Sequence, residues 1–239
     1  MAMGAEAAPL IAALGARAVE PPEWADRLPT RLYRQRAHHG IDVMLTVNGT
    51  DPSTGVDSIG SQAAVLATHA AITVHQPDLV LSVGTAGGWA RADAEIGDVF
   101  VAWDRFVHHD RRINIPGFDE FGLGNHAAAD IRDVALASGC RLGVVTTGES
   151  LDESDVDRLR ILESGAQVKD MEAAAVAWMA GLHHTPVSAV KAITDLVDSP
   201  VAGETQFLDN LDHAVERLCS IVLELLPRLA PLDLSSTDR

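Results

Sequence analysis

The run Val187-Ser188-Ala189-Val190-Lys191-Ala192-Ile193 is apolar at all but two positions and shows no regular polar alternation. A half-exposed strand alternates; a run of this kind predicts a strand covered on both faces. It follows a small-residue stretch, Ala173–Leu182, with helical composition and a short connection. Asp78–Val83, Gly97–Trp103, Leu142–Thr146 and Ile41–Val47 read as further strands. Ser61–Val74, Asp155–Glu163 and Glu204–Leu226 read as helices between or after them. Buried strands alternating with helices predict an α/β domain whose sheet is covered on both sides.

The remaining segments are less regular. Pro21–Gly40 reads as an irregular, Arg-rich connection, and Arg105–Gly124 as a long aromatic loop of the kind that often serves function. Ala7–Leu14 is helical, yet almost nothing precedes it, so a strand expected before it is absent or reduced to two or three residues. One domain is expected over residues 1–228, with a flexible tail over 229–239.

A formal net charge of -16 and only two lysines, Lys169 and Lys191, leave no basic stripe for nucleic acid and the wrong sign for an anionic membrane. A small neutral or cationic ligand suits this balance better than a polyphosphate. Cys140 and Cys219 lack any pairing pattern, which fits a reducing compartment. Met1–Leu14 has no basic segment of the secretory kind, and no apolar run reaches membrane-spanning length. The expectation is a cytoplasmic protein without cofactor.

Strand ends and helix starts line the crevice of open α/β sheets. Glu172 opens the Ala173–Leu182 helix and Asp195 closes the strand after it, so both face toward one crevice. A polar-ligand acceptor and a proton donor so placed suit glycosyl transfer. Each acid also has an ordinary reading, a helix-dipole partner and a turn former. Gly84-Thr85-Ala86-Gly87-Gly88 follows a strand and reads equally as a ligand turn or a plain connection; it is neither a P-loop nor a dinucleotide fingerprint. Thr146-Thr147-Gly148-Glu149-Ser150-Leu151-Asp152 reads as a ring-clasping loop or as helix caps. His108-His109 reads as structural or interfacial, since adjacent histidines point apart and no metal set completes them. No Gly-x-Ser-x-Gly elbow is present.

Seven stretches, taken in order, resemble one family. They are Ala2-Met3-Gly4-Ala5-Glu6-Ala7-Ala8-Pro9-Leu10, Val83-Gly84-Thr85-Ala86-Gly87-Gly88, Ile96-Gly97-Asp98-Val99-Phe100, His109-Asp110-Arg111-Arg112-Ile113, Thr147-Gly148-Glu149-Ser150-Leu151-Asp152, Lys169-Asp170-Met171-Glu172, and Lys191-Ala192-Ile193-Thr194-Asp195-Leu196-Val197-Asp198. The chain resembles the nucleoside phosphorylase/nucleosidase superfamily, and within it the plant-type branch of the 5'-methylthioadenosine nucleosidases.

The resemblance implies a three-layer α/β/α sandwich with a mixed central sheet and a truncated first strand. It implies hydrolysis of an adenine nucleoside bearing a 5'-thioether, with Asp195 as general acid on adenine N7 and Glu6 activating water. Glu172 is then the ribose-hydroxyl acceptor, with Met171 beside the ribose. Ser150, Leu151 and Asp152 hold the adenine, Phe207 lies near the ribose and 5' group, and Thr85, Ala86, Gly87 and Lys191 complete the ligand contacts. A homodimer is implied, the partner's 107–118 segment closing the 5' end. No metal is implied. The related phosphorylases carry arginine where this chain has Ser82, which favours water over phosphate. The alternatives are a phosphorolytic purine nucleoside phosphorylase, a hydrolase of another 6-aminopurine nucleoside such as a deoxyfutalosine-type substrate, and a catalytically inactive nucleoside-binding protein.

Overall fold

The computed structural model describes residues 1–230 and 232. Helix α1 (Gly4–Leu14) leads into three antiparallel strands, β1 (Arg17–Val19), β2 (Arg31–His38) and β3 (Ile41–Val47). Then come α2 (Ser61–His75), β4 (Val80–Gly88), β5 (Val99–His108), α3 (Asp119–Leu123), β6 (His126–Ala127), α4 (Arg132–Ala137) and β7 (Arg141–Thr147). The chain ends in α5 (Asp155–Ser164), β8 (Val168–Asp170), α6 (Ala173–Leu182), β9 (Val187–Leu196) and α7 (Gly203–Leu229).

The larger sheet runs β6-β5-β7-β8-β4-β9, with parallel and antiparallel pairs mixed. It curls until β5 also pairs with β9, so β5, β7, β8, β4 and β9 close a ring. Helices α1, α4 and α7 pack on one side, through Leu10, Leu14, Val134, Leu218 and Leu225. On the other side α2 and α6 present alanines, among them Ala64, Ala173, Ala174 and Ala177, which let the backbones approach closely. The result is the layered α/β arrangement with a mixed sheet. Strand β9 is buried at nine of its ten positions, as its unbroken apolar run requires.

Two expectations change. Pro21–Gly40 is not merely irregular: its second half is β2, paired antiparallel with β3. Leu32 is the only buried residue of β2, so its sequence carried no apolar stripe. The segment 105–124 is part strand and part helix, since β5 continues to His108 and α3 begins at Asp119. As expected, the described chain opens on α1 at Gly4 with no strand assigned before it. The tail 229–239 lies largely outside the described residues. No helix among the described residues is long and apolar enough to cross a membrane.

Candidate active site

The ends of β4, β8 and β9 set the site. Glu6, in the first turn of α1, is 4% exposed and sits against β4. Its Oε1 accepts from Thr85 N and Thr85 Oγ1, both at 2.7 Å, and its Oε2 accepts from Met3 N at 3.2 Å. A Cβ at Gly84 would stand 3.1 Å from Glu6 Oε1, so a glycine there gives the carboxylate its room. Thr85, expected as a ligand contact, thus directs both its donors at Glu6. Oε2 is the oxygen left with capacity for a water.

Asp195 lies two residues further along the same strand neighbour. Strands β4 and β9 run parallel in register to Ala86 and Ile193; the register then shifts, and Gly87 faces Asp195. Thr194 takes up the extra position, as in a bulge. Its hydroxyl reaches Asp195 Oδ1 at 2.8 Å and Ala86 O at 3.2 Å. A Cβ on Gly87 would fall 2.9 Å from Asp195 Oδ2. Burial pushes the Asp195 carboxyl above its ordinary range, against the opposing Thr194 hydrogen bond.

Glu172 is the residue before α6, and its Oε1 accepts from Gly60 N at 2.8 Å, the residue that opens α2. Glu149 also reaches that helix start, through Ser61 N at 3.3 Å. Two carboxylates thus share the amide-rich end of α2, where negative charge is favoured. Burial, then the neighbouring Asp170 carboxylate, push Glu172 up to about 7, while Lys191 and the Gly60 N–H pull it down.

Asp170 ties these pieces together. It accepts from Thr147 Oγ1 at 2.6 Å and Ala173 N at 2.9 Å, and pairs with Lys191 Nζ at 2.7 Å. Strands β7, β8 and β9 and the start of α6 are thereby pinned by one side chain. Lys191, expected as a ligand contact, directs its ammonium at Asp170.

The loop after β7 is fastened from two sides. Lys169 Nζ donates to Leu151 O and pairs with Glu153 at 3.1 Å. Glu149 N donates to Asp110 Oδ2 at 2.6 Å, and His109 is held by Thr146 Oγ1 at 3.1 Å. The buried His109 ring fills the space a side chain at residue 148 would take, 2.2 Å from that Cβ position. Ser150, Leu151 and Asp152 remain exposed on this loop. Met171 is half-buried between β8 and α6, and Phe207 is half-buried near the start of α7. Ala86 is buried inside β4.

Glu6, Thr85, Glu172 and Lys191 line one cavity, and Gly87 with Asp195 follows two residues further along β4 from Thr85. Sequence reading missed four residues that hold them. Gly60 and Asp170 are described above. Gln206 clamps the β9 end, accepting from Leu196 N at 3.1 Å and donating to Val201 O at 2.9 Å. Asn210 donates to Thr194 O at 3.0 Å. The only available signal was a polar pair at i, i+4 on the first turns of an amphipathic helix.

A profile for the Phosphorylase superfamily matches residues 1–227. The 5'-methylthioadenosine nucleosidase of Arabidopsis thaliana is 40% identical over 215 residues, 88% of this chain and 78% of that protein. The 5'-methylthioadenosine/S-adenosylhomocysteine nucleosidase of the same plant is 36% identical over 178 residues, 74% of this chain and 70% of that one. The solved apo structure of Arabidopsis 5'-methylthioadenosine nucleosidase superposes with a TM-score of 0.93 at 36% identity, covering 98% of this chain and 95% of that chain.

Proposed function

We propose that this chain, which belongs to the phosphorylase superfamily, hydrolyses the N-glycosidic bond of 5'-methylthioadenosine to adenine and 5-methylthioribose. The observation that carries this reading is the gathering of Glu6, Glu172 and Asp195 around the end of β4, in a chain 40% identical to a nucleosidase of that substrate.

Glycosidic cleavage passes through an oxocarbenium-like state and needs a proton for the leaving group and a base for water. Asp195, whose burial raises its affinity for a proton, gives that proton to adenine N7 as the C1'–N9 bond breaks and the bonding pair leaves with the base. Glu6, fixed through Oε1 by Thr85, takes a proton through Oε2 from the water that adds to C1'. Glu172 accepts from the ribose hydroxyls. Carboxylates around a cationic ribosyl group also favour that state electrostatically. The adenine rests on the 150–152 loop, with Met171 and Phe207 bounding the ribose and 5' group. Buried Ser82 stands where related phosphorylases carry a phosphate-binding arginine, which favours water as nucleophile.

A second copy of the chain suits the 107–118 segment. Ile115, Phe118 and the following Phe121 are each about half exposed or more, at 57%, 49% and 57%. Large apolar side chains gathered in one segment mark a contact surface. Free Cys140 and Cys219 fit a cytoplasmic setting.

The test is adenine release from methylthioadenosine, with and without phosphate. Turnover unchanged by phosphate, and lost by roughly a thousandfold in Asp195→Asn and Glu6→Gln, is expected. Strict phosphate dependence with ribose 1-phosphate formed supports phosphorolysis instead. Tight binding without turnover by the parent leaves a binding protein.

A further inference from the structure

Strand β9 loses its β5 partner just before it reaches Asp195. The two strands pair from Val190 to Ala192, and the turn before β5 carries the ladder one residue further. There Ile193 N donates to Asp98 O and Gly97 N donates to Ile193 O, each at 2.9 Å. Past Ile193 no strand pairs with β9 on that side among the described residues. Thr194 then takes the bulge, and Asp195 and Leu196 follow. Main-chain groups in covered structure need partners, and a bulge with none on one edge has no fixed bend.

Helix α7 supplies the missing edge with side chains. Asn210 Nδ2 donates to Thr194 O at 3.0 Å. The Gln206 amide meets both main-chain groups of Leu196: Oε1 accepts from its N–H at 3.1 Å, and Nε2 donates to its carbonyl at 3.3 Å. A primary amide carries a donor and an acceptor side by side, as a residue of a neighbouring strand does. Nε2 also donates to Val201 O at 2.9 Å, and Asn210 Nδ2 to Gln206 O at 2.7 Å, so the two amides and the approach to α7 form one unit. Both chain neighbours of Asp195 are thereby gripped. Among the described residues its carboxyl takes a single hydrogen bond, from the Thr194 hydroxyl at 2.8 Å. The helix itself starts against the acid, since a Cβ at Gly203 would stand 3.8 Å from Asp195 Oδ2.

We propose that Gln206 and Asn210 are positioning residues for the proton transfer: as a surrogate strand they hold the Thr194 bulge in the shape that aims Asp195 at the leaving base. This rests on the reading of Asp195 as the proton donor. The amide is the chemistry the place requires. A carboxylate at residue 206 would accept from Leu196 N but face the carbonyls of Leu196 and Val201 with no donor, and an aliphatic side chain would leave all three groups unmet. The same grip bears on how Asp195 holds its proton. Burial is the main cause that raises its affinity, with Glu153 adding to it and Thr194 and Lys169 opposing it. A looser bulge lets water reach the carboxyl and weakens that main cause.

Gln206→Met and Asn210→Leu test this, since each keeps the side-chain volume and removes the hydrogen bonds. In steady-state adenine release from methylthioadenosine, kcat is expected to fall roughly ten- to a hundredfold in Gln206→Met, with KM within about threefold of the parent's. Asn210→Leu, which loses one contact to β9 in place of two, is expected to lose less. Carbon-13 NMR of the ligand-free proteins follows the Asp195 carboxyl through its titration, with melting curves as the check on folding. Its midpoint is expected about one pH unit lower in Gln206→Met than in the parent. An Asp195 titration that stays where it is in both folded variants overturns the proposal, and so does a Gln206→Met kcat within about twofold of the parent's. The titration needs no turnover. A parent that releases no adenine overturns the hydrolase reading, and the Asp195 midpoint then decides the positioning role by itself.

Discussion

Lys191 Nζ lies 2.7 Å from Asp170 Oδ2, and both side chains are sealed from solvent, at 2% and 1% exposure. The pair joins β9 to β8 directly beneath Glu172. Removing one member of a buried pair leaves the other charge uncompensated, at a cost of roughly 3–5 kcal/mol. Lys191→Met is therefore expected to lower the melting temperature by about 10 °C. Adding Asp170→Asn should recover part of that loss, which a thermal-melting cycle over the four proteins measures.

The Thr85 hydroxyl is one of two donors on Glu6 Oε1. Thr85→Val keeps the shape and the backbone donor but removes this one. A hydrogen bond to a charged group contributes about 1.5–3 kcal/mol. A fall in kcat of roughly ten- to a hundredfold, with KM little changed, is expected from steady-state adenine release.

Gly87 has no space for a side chain, because Asp195 Oδ2 and Val197 Cγ2 each lie 2.9 Å from the Cβ position. Gly87→Ala must displace the acid. A shift of about 1 Å at a reacting group costs on the order of a hundredfold in rate. That loss should appear in kcat, while circular dichroism and folded yield stay close to the parent's.

Glu172 holds its proton more tightly folded than unfolded, at about 7 instead of the ordinary 4.5 of a free glutamate. Its contribution to stability therefore falls as pH rises between those values and stays low above 7. Glu172→Gln is expected to be more stable than the parent at pH 8, by on the order of 2 kcal/mol, and to lose this advantage near pH 4.5. Ligand binding has the opposite demand, since the ribose acceptor must be ionised. KM for the parent should rise as pH drops below about 7. Melting and steady-state profiles over the same buffers check both halves.

The buried strands and long helices were legible because their patterns are extreme. Nine buried positions in β9 leave no other reading. Strand β2 was hidden because it buries only Leu32, and β8 because three residues carry no period. Glu172 and Asp195 were visible as acids at the two ends of one α–β step. Glu6 came from resemblance alone, since an acid in a first turn is ordinary. Gly60 was beyond reach: it meets Glu172 across 112 positions through its main-chain N–H, which no side-chain pattern records. Asp170, Gln206 and Asn210 likewise act through contacts that exist only after folding.

The closed ring of β5, β7, β8, β4 and β9 has a kinetic consequence. A hoop of hydrogen-bonded strands does not open like a clam, so the floor beneath the nucleoside keeps one shape throughout a cycle. Entry and exit fall to the rim, to the stretches 109–118, 148–153 and 197–203. Any opening that admits substrate or frees product is therefore a matter for these loops and not for the frame.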